Sequence, residues 1–115
     1  MIRVCLWRSS EGTPKRISLV GHAGRGRYGE DIVCAAASAL METLVLGLRN
    51  VVNEQPEGTL EAGVADLRFA PPVSPEARAI IETIVEGLKD LAHSEPGAVS
   101  FREERWRPGE DMGGS

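Results

Sequence analysis

The chain has 115 residues, 42% of them hydrophobic and 26% charged, with a formal net charge of −4 at pH 7. That length supports one domain around a single core, and the composition excludes disordered, collagen-like and disulfide-scaffold classes. A mildly acidic balance argues against a direct nucleic-acid binder and is compatible with a basic partner.

Residues 2–8 alternate, with Ile2, Val4 and Leu6 on one side and Arg3, Cys5 and Trp7 on the other, which predicts a half-buried strand. Ser9 to Pro14 read as a turn. Lys15 to Val20 read as a second, antiparallel strand ending at Gly21, completing a hairpin. A glycine loop over 21–30 follows, then a helix predicted from about Ile32 to Asn50. Asp31 is its expected N-cap, because the carboxylate accepts from free N–H groups of the first turn. The helix is apolar nearly all round: Val33, Ala36, Leu40, Leu44 and Leu48 on one side, Ile32, Ala39, Val45 and Leu46 on others. It therefore needs cover on more than one face. A sheet supplies one cover; the second helix, a second subunit or both supply the rest.

Leu60 to Phe69 is strand-like, with a phase shift near Gly63 that marks a bulge or short hairpin. Pro71 and Pro72 close it. Ser74-Pro75 sets a cap residue before a proline at the first helical position. The helix this starts, over about 75–93, places Ala77, Ile80, Ile81, Ile84, Leu88 and Leu91 on one face. Pro96-Gly97 ends it, and Ala98 to Arg102 form a last strand. The predicted order is β-β-α-β-α-β: an α+β fold with a small mixed or antiparallel sheet and two helices. It makes one domain over 1–107, with a disordered tail over 108–115.

No apolar run is expected to reach the ~20 residues of a membrane span, so no membrane partner is expected. The opening MIRVCLWRSS lacks a signal peptide's apolar stretch, which predicts a cytoplasmic protein with both cysteines, Cys5 and Cys34, reduced.

The loop carries a literal G-x-G-x-x-G at Gly24, Gly26 and Gly29. Three features count against a dinucleotide site. His22 and Ala23 intervene after the strand, Gly29 falls ahead of the predicted helix, and no parallel strand ending in an acid follows. Two histidines and two cysteines without C-x-x-C or H-x-x-x-H spacing predict no metal site. No G-x-S-x-G is present, which removes the elbow-type serine hydrolases.

Cysteine chemistry fits better. With Asp31 as cap, Cys34 falls in the first helical turn, where free N–H groups and the helix dipole favour a thiolate. The same amides suit a tetrahedral oxyanion. His22, with eleven residues between it and Cys34, reaches the sulfur if the loop folds back over the helix start. Ser38 lies one turn after Cys34; its hydroxyl either enters the site or bonds back to its own helix. A cysteine near a helix start is also, simply, a small buried hydrophobe. Cys5, on a strand, reads as structural.

At Gly21-His22-Ala23, Gly29, Asp31-Ile32-Val33-Cys34-Ala35-Ala36 and Ser38 the sequence resembles the ribosomal-processing cysteine proteases, the Prp or YsxB-like family. The resemblance extends to about residue 105. It implies a YsxB-like α+β homodimer that removes the N-terminal extension of a large-subunit ribosomal protein, the twenty-seventh by number, with no cofactor. By position it implies Cys34 as nucleophile and His22 as base. Asp31 and Ser38 are supporting residues, and Gly21, Ala23, Gly24, Gly26 and Gly29 belong to the substrate loop. The rival expectation is a non-catalytic, ribosome-associated peptide-binding protein in which Cys34 merely packs.

Overall fold

The computed structural model describes residues 1–21, 28–61 and 63–107, and the backbone alone for 28–31. The expected tail, 108–115, lies outside the described residues. Seven elements follow in order: β1 (Ile2–Arg8), β2 (Pro14–Val20), α1 (Tyr28–Val51), β3 (Glu57–Glu61), β4 (Val64–Arg68), α2 (Pro75–Ser94) and β5 (Val99–Arg105). The strands form one mixed sheet in the order β3-β4-β2-β1-β5, antiparallel throughout except for the parallel pair β1–β5. The β-β-α-β-α-β reading holds, with its third strand resolved into the hairpin β3–β4. The turn falls at Gly63, whose φ of +81° is open to glycine at little cost.

Register explains the two faces. Val4 stands opposite Leu19 and Leu19 opposite Ala65; Leu6 stands opposite Ile17 and Ile17 opposite Leu67. These residues form one buried cluster with Val33, Ala37, Met41, Leu44 and Leu48 of α1 and Ala77, Ile81, Ile84, Val85 and Leu88 of α2. Both helices therefore cover the same face of the sheet. The opposite face carries Arg3, Cys5, Trp7, Arg16, Ser18, Asp66 and Arg102. There Arg16 lies over the Trp7 ring at 4.3 Å and makes two hydrogen bonds to Asp66, of 2.8 and 2.7 Å.

Helix α2 begins as its sequence dictates. Ser74 is the N-cap, its hydroxyl accepting from Ala77 N at 3.1 Å, with Pro75 in the first turn. Its fully buried Ile and Leu side chains contribute about 1.5–3 kcal/mol each on leaving water.

Helix α1 departs from expectation in three ways. It starts at Tyr28, four residues early, so Asp31 lies inside it and is not the N-cap. An N-cap needs non-helical backbone, and residues 28–31 are already helical. Its buried ridge is Val33, Ala37, Met41, Leu44 and Leu48, while Ala36 and Leu40 are only half-buried. Leu40 turns towards α2, close to Gly87. Finally, Ile32–Val51 is long and apolar enough to cross a membrane by length and composition, contrary to the sequence expectation. Glu42 and Arg49 are too sparse to interrupt the stretch. What sets the helix apart is its ridge in the core shared with α2 and the sheet.

Candidate active site

The two cysteines have different surroundings. Cys5 is 6% exposed on the face away from the helices, beside Arg102, whose guanidinium is held above its usual range by that sulfur. Cys34 is a free, half-exposed thiol on α1, packed at the margin of the core.

Because α1 starts at Tyr28, Cys34 is the seventh residue of the helix, about 9 Å along its axis at 1.5 Å per residue. The first-turn reading is thereby corrected. The unpaired amides belong to the turn that opens at Tyr28, and the dipole's influence fades beyond that turn. Activation of Cys34 thus needs an adjacent base. The early start has a second consequence. Positions 31, 34 and 38 stand at i, i+3 and i+7, so Asp31, Cys34 and Ser38 share one face of α1. The residue expected to cap the helix instead belongs to the ridge that carries the thiol.

Ser38 is half-buried and lines a groove. Thr43 and Thr83 bond back to the carbonyls of Ala39 and Ala79, each at 2.7 Å. Ser38 Oγ has no such partner among the described residues. Among the described residues nothing holds its hydroxyl away from the groove.

Gly21 ends β2 at a constrained point. Its N–H donates to the Gly63 carbonyl at 3.0 Å and its φ is +110°. A Cβ there would meet the Met1 carbonyl oxygen at 2.4 Å. Only glycine fits such a place. The base candidate follows it directly in sequence, but His22, Ala23, Gly24 and Gly26 lie outside the described residues. Gly29 lies within α1, which overturns one argument used against the dinucleotide fingerprint. Topology replaces that argument. The strand before α1 is β2, whose neighbours β1 and β4 are both antiparallel to it, so β4 separates it from the parallel strand β3 that follows α1 and the adjacent parallel pair of a dinucleotide-binding βαβ unit is not formed. Among the described residues no three His, Cys, Asp or Glu side chains converge to hold a metal ion.

Sequence reasoning missed the groove itself. It measures about 430 Å³ and runs between α1 and the β3–β4 hairpin, with Ser38, Met41 and Val45 on its helical wall and Leu19, Leu60 and Ala65 on its sheet wall. The phase shift near Gly63 was the available signal, since it announced a hairpin extending beyond the core.

Residues 1–100 match the family model described as cysteine protease Prp. The chain is similar to the ribosomal processing cysteine protease Prp of Staphylococcus aureus, at 39% identity over 57 residues, 50% of this chain and 54% of that protein. The match thus spans about half the length of that curated relative. A solved structure of the S. aureus protease, described as essential and in complex with a substrate peptide, has a TM-score of 0.82 at 26% identity, covering 90% of this chain and 100% of that one. A Streptococcus mutans protein gives a TM-score of 0.83 at 27% identity, covering 92% and 96% of the two chains. A match over nearly the whole described domain, joined to a free thiol on the helix where the motif places it, settles the family: the chain belongs to the cysteine protease Prp family.

Proposed function

We propose that this chain is a cytoplasmic, homodimeric cysteine endopeptidase that removes the N-terminal extension of the twenty-seventh large-subunit ribosomal protein. The observation that carries this reading is Cys34, half-exposed on the face of α1 that also holds Asp31 and Ser38, in a chain matching the family over residues 1–100. Apolar surface left on α1, with Ile32 53% and Val51 71% exposed, supports a second subunit as further cover.

In the reaction, His22 takes the thiol proton as Cys34 Sγ attacks the scissile carbonyl carbon. The resulting oxyanion needs a donor, and the Ser38 hydroxyl, which does not bond back to its helix, is available for that role. Collapse breaks the C–N bond, and the His22 proton goes to the leaving amine. Water then attacks the thioester, giving its proton to His22, and the C–S bond breaks. The acid product leaves and His22 returns the proton to the Cys34 sulfur. Asp31, which the family motif places three residues before the nucleophile, is a supporting residue. No cofactor enters any step.

Incubation with the precursor ribosomal protein, followed by intact-mass spectrometry, tests this directly. Wild-type protein releases the extension at one bond, and Cys34→Ala and His22→Ala lose at least about 10³-fold in rate. Full cleavage by Cys34→Ala excludes the mechanism and leaves only peptide binding. A thiol alkylator at neutral pH labels Cys34 well before the buried Cys5.

A further inference from the structure

The sheet face turned away from both helices holds a pit of about 350 Å³, on the opposite side of the sheet from α1 and its thiol. Register explains it. Cys5 pairs with Ser18 on β2 and with Arg102 on β5, a row of two small side chains ending in a guanidinium. The flanking rows are bulkier, with Arg3 and Val20 on one side and Trp7 and Arg16 on the other. Small residues thus make the floor and large ones the walls. Arg3 and Arg102 stand on neighbouring strands two residues out of register, about 8 Å apart at the backbone, within reach of one group between them.

The chemistry of the lining is that of an anion site. Among the described residues no carboxylate lines the pit. Arg3 has no ion-pair partner among them, and the carboxylate that Arg102 meets is that of the exposed Glu104, at 3.6 Å. Asp66, the acid in the row of Ser18, is held by Arg16 through two hydrogen bonds. Ser18 is only 9% exposed, yet its hydroxyl has no hydrogen-bond partner among the described residues. A buried hydroxyl ordinarily has one, and Ser18 presents its donor to the pit.

We infer that this pit binds a small organic phosphate, with the phosphate between Arg3 and Arg102 and the organic part against Trp7 and Val20. Two guanidiniums and the hydroxyls of Ser18 and Ser100 approach from different sides. That suits the three terminal oxygens and double charge of a phosphate monoester better than a flat, singly charged carboxylate. Trp7 has Arg16 over its ring at 4.3 Å and also lines the pit, so it supplies an apolar wall. The volume lies at the lower end of the range for small-molecule pockets, about 300–1,000 Å³. Local charge decides the sign of the ligand, because the rest of the molecule's −4 is screened beyond about 8 Å in physiological salt. The site is separate from Cys34 and does not depend on the protease reading.

The test titrates the full chain with phenyl phosphate at low salt, read by calorimetry, beside inorganic phosphate, benzoate, phenol and a thymidine oligonucleotide. Phenyl phosphate binds with one-to-one stoichiometry, inorganic phosphate and benzoate bind about tenfold more weakly, and phenol does not saturate. Arg3→Gln and Arg102→Gln each weaken phenyl phosphate binding about tenfold and Ser18→Ala about threefold, while the alkylation rate of Cys34 stays at its wild-type value. The two arginines are exposed, so unchanged melting temperatures confirm that these variants fold. No saturable binding by wild-type protein up to about 10 mM overturns the site. So does wild-type affinity in Arg3→Gln combined with Arg102→Gln. Equal affinity for benzoate overturns the choice of phosphate. Tighter binding of the oligonucleotide, falling steeply as salt rises, also overturns it and makes this face a polyanion surface.

Discussion

The two ends of the sheet are built differently. At the β1–β5 end, Arg8 joins three elements: its guanidinium donates to Glu82 on α2 at 2.6 and 2.9 Å, to Glu103 on β5 at 2.5 Å and to the Gly12 carbonyl at 3.0 Å. Ile81, Val85 and Leu88 lie sealed beneath. At the β3–β4 end the strands are short, β3 is exposed along its whole length, and apolar side chains remain open to water. One end uses its side chains to hold the fold; the other leaves apolar side chains open to water.

Substitutions can break or sharpen that contrast. The largest loss is expected in the covered core: Ile81→Ala or Leu88→Ala costs about 2–5 kcal/mol by chemical denaturation. Gly21→Ala, at the junction of β2 and the active-site loop, costs about 1–3 kcal/mol through its positive φ and the clash with Met1. It also lowers cleavage by shifting the residue that follows, measurable beside the melting temperature.

Arg8→Leu costs about 1–2 kcal/mol near neutral pH, discounted because the carboxylates are partly exposed. Its effect depends on pH with a definite sign. Hydrogen bonds from Arg8 hold Glu82 and Glu103 below their ordinary value of 4.5, and the same partners raise Arg8. The stabilisation is complete above the unfolded carboxylate range and disappears as pH falls through the lowered folded values. Wild type and Arg8→Leu should therefore converge in stability below about pH 4. Curves that stay parallel through the acid range below that pH would mean that Arg8 acts through packing alone.

Ser74→Ala loses about 1 kcal/mol, since its hydroxyl accepts from Ala77 N and donates to Glu54 at 2.8 Å. Leu46→Ala, at the open end, changes stability by less than about 0.5 kcal/mol. A core-sized loss at Leu46 would erase the distinction between the two ends.

Much of this was legible in the sequence because the signals were local. Alternation over 2–8, the Ser74-Pro75 start and the Ile81–Leu88 stripe depend on neighbours a few residues apart. The start of α1 was misplaced because Asp31 is a good cap by type, yet the backbone was already helical before it. Sequence patterns cannot weigh a cap against an extra turn whose support comes from the rest of the fold. The roles of Arg8 and of the groove were invisible for another reason. Glu82 and Leu60 lie far along the chain from the residues they meet, and no short-range period records such meetings.

By itself, the sequence determined the element types, the first hairpin, the face that α2 buries, and the loop–thiol motif that names the family. Those follow from backbone preference and from the periods of strand and helix. Tertiary structure alone decided which residues share the ridge of Cys34 and where apolar surface stays open. Each depends on how far the sheet extends beyond the helices that cover it, a quantity fixed only when every element has packed.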